Sequence, residues 1–137
     1  TCLGEDSQPY LQTVEDMMEQ TQGFLHTLQR LSRRSQGRTA RVLYGLASEL
    51  RRELRQLSTA YFLIAGERHS PSQTGPSLSG PFDLALRTLF QQFHQRAAQA
   101  RSAAQGMADP CLQQLFQDLG DEAEFFAGRL RTLLEGM

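Results

Sequence analysis

The chain has no tryptophan and only two cysteines. It carries no surplus of either charge: 14 lysine and arginine residues stand against 15 aspartate and glutamate, a net charge of -1. That balance removes the electrostatic case for nucleic acid or an anionic membrane as partner. No apolar run approaches the ~18 residues that span a bilayer, and no signal peptide is visible. Thr1 rather than Met opens the chain, consistent with removal of an upstream segment, and a cytoplasmic location is the default expectation. Cys2 and Cys111 do not make a metal-ligand spacing and read as two reduced thiols. No glycine-rich phosphate loop is present, and no serine or cysteine has a base partner at motif spacing. His26, His69 and His94 share no spacing either and read as surface or boundary residues. The clusters Arg33-Arg34 and Arg51-Arg52-x-x-Arg55 have acids nearby and read as solvated helix faces.

What is present is helical. The 137 residues make one domain, long enough to bury about two thirds of the surface of the unfolded chain without a disulfide or metal. Pro9 follows Ser7-Gln8 as a helix start, and Gln36-Gly37 stops that helix. Thr39 opens a second helix that closes at Gly66. Ser79-Gly80-Pro81 opens a third, ended by Gly106. Asp109-Pro110, a carboxylate cap followed by proline, is the clearest start of all. The expected helices are thus about 9–35, 39–66, 81–105 and 110–135, with a flexible segment over 1–8. Each carries an apolar seam at steps of three and four, the pattern of a bundle around a shared core. No alternating strand pattern competes.

Residues 69–80 are rich in serine, proline and glycine and read as a loop. At about 3.3 Å per residue the loop reaches about 40 Å. A helix of about 28 residues is about 42 Å long. The loop can therefore run the length of the bundle, making helices two and three parallel. The remaining connections are short and make two antiparallel hairpins. The expected fold is all-α, a four-helix bundle of two hairpins joined by one long crossover, which is the ferritin-like topology.

Two stretches read as one helix written twice. Leu46-Ala47-Ser48-Glu49-Leu50-Arg51-Arg52-Glu53 lines up with Leu119-Gly120-Asp121-Glu122-Ala123-Glu124-Phe125-Phe126. Both resemble the ligand-bearing helices of rubrerythrin-like ferritin folds, which carry Leu-Ala-x-x-Glu-x-x-His-Ala-x-x-Leu. Tyr61-Phe62-Leu63-Ile64-Ala65-Gly66-Glu67-Arg68, Leu86-Arg87-Thr88-Leu89-Phe90-Gln91-Gln92-Phe93 and Asp109-Pro110-Cys111-Leu112 extend the likeness over most of 9–135. The resemblance implies a carboxylate-bridged di-iron or di-manganese site, with one Glu from each of two helices and a Glu-x-x-His pair from each of the others. By that register the lone-Glu positions hold Met17 and Phe93. The paired positions hold Leu50 with Glu53, and Ala123 with Phe126. Asp16 or Glu19 is the alternative to Met17. One carboxylate among apolar side chains cannot hold two hard cations. The former ligand positions read as core, which avoids burying several carboxylates without metal.

Glu53 stands out in an apolar seam. It is read either as a leftover ligand or proton carrier, or as a rim residue with Leu54 taking the core. Phe125 and Phe126 point about 100° apart on a helix. Either the buried stripe is wide there, or one ring faces a partner. The leading functional expectation is a non-catalytic, metal-free ferritin-like bundle acting through protein contacts, as a homodimer with a further protein partner. The first rival is an iron or manganese redox or storage protein with Asp16, Glu53, His94 and Glu122 as ligands. A third reading is a small-ligand carrier that uses the vacated site as an apolar cavity.

Overall fold

The computed structural model describes residues 2–75 and 78–137. Positions 1, 76 and 77, which belong to the expected N-terminal segment and crossover, lie outside the described residues. The described chain is all-helical. A 3-10 helix over Glu5–Tyr10 leads into α1 (Leu11–Arg33). Then come α2 (Gly37–Ala65), α3 (Phe82–Gly106) and α4 (Pro110–Glu135). Pro9 lies inside the 3-10 turn rather than at the start of α1, so the α-helical geometry begins at Leu11.

Local chemistry sets the helix ends. The Asp109 side chain accepts hydrogen bonds from the Cys111 and Leu112 N–H groups at the start of α4, with Pro110 in the first turn where no N–H is needed. Gly66 ends α2 in the left-handed region, φ 78°, and its N–H bonds back to the Phe62 carbonyl.

Of the segment expected to be flexible over 1–8, residues 2–8 are described, and several of them are tied to the bundle. Cys2 and Cys111 form a disulfide, with Cα atoms 5.4 Å apart, instead of two reduced thiols. The Leu3 N–H and the Ser7 hydroxyl both donate to Asp109 Oδ2, the Ser7 bond at 2.7 Å, and Ser7 is fully buried. Tyr10 donates its hydroxyl to the Gly106 carbonyl. The segment thereby staples the start of α1 to the α3–α4 corner. Asp109 is the hub: burial alone would raise its carboxyl, but hydrogen bonds from Ser7, Leu3, Cys111 and Leu112 hold it below the usual range.

The chain after α2 runs along α1. Glu19 accepts from the Ser72 and Gln73 N–H groups, and Arg30 donates to the Thr74 and Gly75 carbonyls. Arg34 donates to the Leu78 and Gly80 carbonyls. The crossover follows α1 in α1's own direction and delivers α3 to the far end. It packs tightly at Gly75, φ 72°, where an added Cβ would lie 2.4 Å from the Gly23 carbonyl oxygen. Only glycine fits there. Contacts from α1 to α3 run in reverse order, Gln20 to Gln99, Thr21 to Arg96 and Phe24 to Phe93. Helix α3 is thus antiparallel to α1, as α2 is through its short connection, and α2 and α3 run the same way.

Two apolar clusters fill the interior. One holds Phe24, Leu28, Leu43, Leu50, Leu86, Phe93, Ala123, Phe126 and their neighbours. The other holds Val14, Met17, Leu57, Ala100, Leu112, Phe116 and Leu119 with theirs. Between the two levels lie the buried polar side chains Thr21, Glu53 and Arg96.

Candidate functional site

The polar layer forms where all four helices face one another. Arg96 and Glu53 are both wholly buried, and Arg96 Nη2 donates to Glu53 Oε1 at 3.0 Å. The same nitrogen donates to Thr21 Oγ1 at 2.6 Å, and Nη1 donates to Gln20 Oε1 at 2.6 Å. Helix α3 can house a guanidinium here because its flanking core positions, Ala97 and Ala100, are small. The Phe24 ring lies 5.7 Å from the guanidinium carbon, and Phe24 stacks on Phe93 at 4.5 Å. From α4, Glu122 reaches toward Glu53 and is held by Arg52 of α2, which also binds Glu49.

Several sequence expectations change at this layer. Glu53 does not lean to the rim: it is fully buried, and Leu54 is the partly exposed neighbour. Met17 is buried, but α1 meets Glu53's level one turn later, at Gln20 and Thr21. Asp16 is exposed and accepts from Gln12, and Glu19 is spent on the crossover, so neither is a ligand remnant. Leu50, Phe93, Ala123 and Phe126 share one apolar cluster, as core positions should. The level of these residues is nonetheless not wholly apolar, because Arg96 sits one turn beyond Phe93. Nor is it a cavity, since Leu50, Phe93, Arg96, Ala123 and Phe126 close it with almost no exposed surface.

The residues do not fit a pair of hard cations. Met17, Leu50, Phe93, Ala123 and Phe126 offer no hard donor. The one carboxylate of that set, Glu53, already faces a fixed positive charge that would repel a divalent ion. Of the rival ligand set, Glu53 and Glu122 come together, but Asp16 and His94 are exposed elsewhere, and His94 stacks beside Phe90. His69 lies between Glu15 and Glu19, and His26 bonds Gln22. Among the described residues, the grouping whose side chains converge as metal ligands could is Cys2, Asp109 and Cys111. Its sulfurs are joined in the disulfide, and both Asp109 oxygens are taken by N–H and O–H donors.

Burial favours the protonated form of Glu53. Burial pushes its carboxyl up, to about 8, against the pull of Arg96, and Glu122 raises it further. Glu53 Oε2 accepts from no donor. A proton on Oε2 lowers the cost of burying that unpaired oxygen and leaves Oε1 for Arg96. Burial lowers the Arg96 guanidinium, while Glu53 and Glu122 hold it up.

A consequence for stability follows. Folding raises this carboxyl above its ordinary 4.5, so the unfolded state loses the proton first as pH rises. The group's contribution is complete below that value and is lost as pH climbs through about 8. The slope is at most about 1.4 kcal/mol per pH unit. Glu19 and Asp109, both held low, act in the opposite sense and only in acid. Glu53→Gln mimics the protonated acid, so urea midpoints measured from about pH 5 to pH 8 should fall in the parent and stay flat in the variant. Parallel profiles would refute the buried-proton assignment.

Arg96 is the residue that sequence reasoning missed. The available signal was its spacing: three residues after Phe93 and four before Ala100, it falls inside the apolar seam of α3. On the surface, Phe125 is 59 % exposed with Arg129 over its ring, whereas Phe126 is buried edge-on to Phe93 at 5.5 Å. Among the described residues, no helix is long and apolar enough to cross a membrane. No family model, curated protein or solved structure matches the chain.

Proposed function

We propose that this chain is a degenerate ferritin-like, rubrerythrin-like bundle in which a buried guanidinium has taken the place of the metal charge. In this reading it is not an enzyme and acts through protein contacts, as a homodimer and with a further protein partner. The observation that carries the reading is Arg96, wholly buried and bonded to Glu53, Thr21 and Gln20. A carboxylate left behind by metal loss needs either a proton or a fixed cation to stay buried. Glu53 has both. The parallel α2 and α3 and the crossover strapped to α1 support the ferritin-like topology. Phe125 supports the contact role, as a large exposed ring turned about 100° away from its buried neighbour Phe126. The disulfide favours an oxidising compartment over the cytoplasm.

Metal analysis and sedimentation test the reading together. Protein produced with iron or manganese supplied should hold well under one ion per chain. Its melting temperature should not move with added metal, because only an ion bound to the folded state stabilises by mass action. It should sediment as a dimer at micromolar concentration, and Phe125→Ser should shift it toward monomer. Stoichiometric iron or manganese lost in Glu53→Ala would establish the rival metal protein instead.

A further inference from the structure

A cleft of about 230 Å³ opens between α1, α3 and the crossover. Five glutamines line it, Gln20, Gln73, Gln92, Gln95 and Gln99, above the edge of Phe24 and the backbone of Gly23 and Gly75. Among the described residues, no charged side chain lines its walls. The walls are fixed by close packing. An added Cβ on Gly23 would lie 3.3 Å from Gly75 Cα, so the crossover has no room to settle further onto α1.

The orientation of two of these amides is decided by the core beneath them. Arginine has only N–H groups to offer, so Gln20 must turn its oxygen toward Arg96 Nη1, 2.6 Å away. The Gln20 amide nitrogen then donates to Gln99 Oε1 at 3.1 Å. Both amide oxygens are used, and the N–H groups left over, one on Gln20 and two on Gln99, are donors at the cleft. The relay carries the polarity of a buried cation to the surface as neutral N–H donors. Gln73, Gln92 and Gln95 add amides that can both donate and accept. Phe24 is buried and stacked on Phe93, so it gives an apolar edge rather than an open platform for a flat base.

We propose that this cleft binds a small uncharged molecule through a carboxamide, its carbonyl oxygen received by the N–H groups of Gln20 and Gln99 and its N–H by a free glutamine carbonyl. A carboxamide is complementary to that mixture of oriented donors and free acceptors. An uncharged ligand suits walls that offer no counter-ion. The volume lies below the ~300–1,000 Å³ of pockets for drug-sized ligands, which fits one acetamido-bearing ring or a capped amino acid. The two natural sources of that chemistry are an N-acetylated amino sugar and a peptide. The inference stands independently of ancestry and of dimer formation.

The test is titration with N-acetylglucosamine and with N-acetylglycinamide, read at the glutamine side-chain amides by two-dimensional ¹H–¹⁵N NMR. Saturable shifts at Gln20 and Gln99, but not at Gln114 on α4, are expected with at least one probe. A response to one alone identifies the amino-sugar or the peptide source. Gln99 is exposed, so Gln99→Leu should leave the melting temperature unchanged while weakening binding about tenfold, the loss of one hydrogen bond. Glucose, which lacks the amide, should not shift these signals. No saturable shift with either acetamide, an equal response to glucose, or full binding by Gln99→Leu would each overturn the proposal.

Discussion

Removing the Cys2–Cys111 bond is expected to lower the unfolding free energy by about 4–5 kcal/mol, the chain-entropy value for a loop of roughly a hundred residues. The two cysteines are 109 residues apart, so the bond closes nearly the whole chain into one ring and denies the unfolded state most of its expanded conformations. Domains of this size have ~5–15 kcal/mol in total, so the loss is a large fraction. The native state should change little at first. Asp109 keeps its hydrogen bonds to Leu3, Ser7, Cys111 and Leu112, and the hairpins do not use the sulfurs. Urea unfolding of the oxidised protein, the reduced protein and the Cys2→Ser/Cys111→Ser variant should give one high midpoint and two low, similar ones. Amide protection over residues 2–10 should fall furthest. Midpoints that coincide with and without reductant would show that the bond does not restrain the unfolded chain.

The helices were legible because their determinants are local. Asp109-Pro110 caps α4 through its own side chain, and Gly66 closes α2 through its own dihedral angle. The length of the crossover was legible as a reach, and its track along α1 realises that reach. Glu53 was visible as an anomaly in an apolar seam, but its burial depends on a residue 43 positions away on another helix. Arg96 was hidden because arginine on a helix is usually solvent-facing, and the alanines around it make a weak seam. Their small size is what gives the guanidinium its room. The N-terminal staple was illegible for a similar reason: Ser7, Leu3 and Cys2 meet partners more than a hundred residues away, at the α3–α4 corner. Period and caps reveal elements. Pairings across the bundle require the register between helices, which no single seam contains.

Replacing Arg96 alone should be among the most damaging single changes in the core. Arg96→Met removes the donors to Glu53, Thr21 and Gln20 together and leaves the Glu53–Glu122 pair without its interior cation. Breaking a buried pair on one side typically costs about 3–5 kcal/mol. The loss should be smaller while Glu53 keeps its proton and larger as pH rises through about 8, where the parent's carboxylate faces Arg96. The double variant Glu53→Leu/Arg96→Met should recover most of it, because two well-packed apolar side chains avoid burying a guanidinium and a carboxyl group. The prediction is therefore non-additive: a coupling of several kcal/mol between α2 and α3 positions, measured by a double-mutant cycle in urea. Equal destabilisation in the single and double variants would mean that Arg96 acts through Gln20 and Thr21 rather than through Glu53. Recovery would identify the polar layer as a feature that fixes the register of the four helices without adding to their stability.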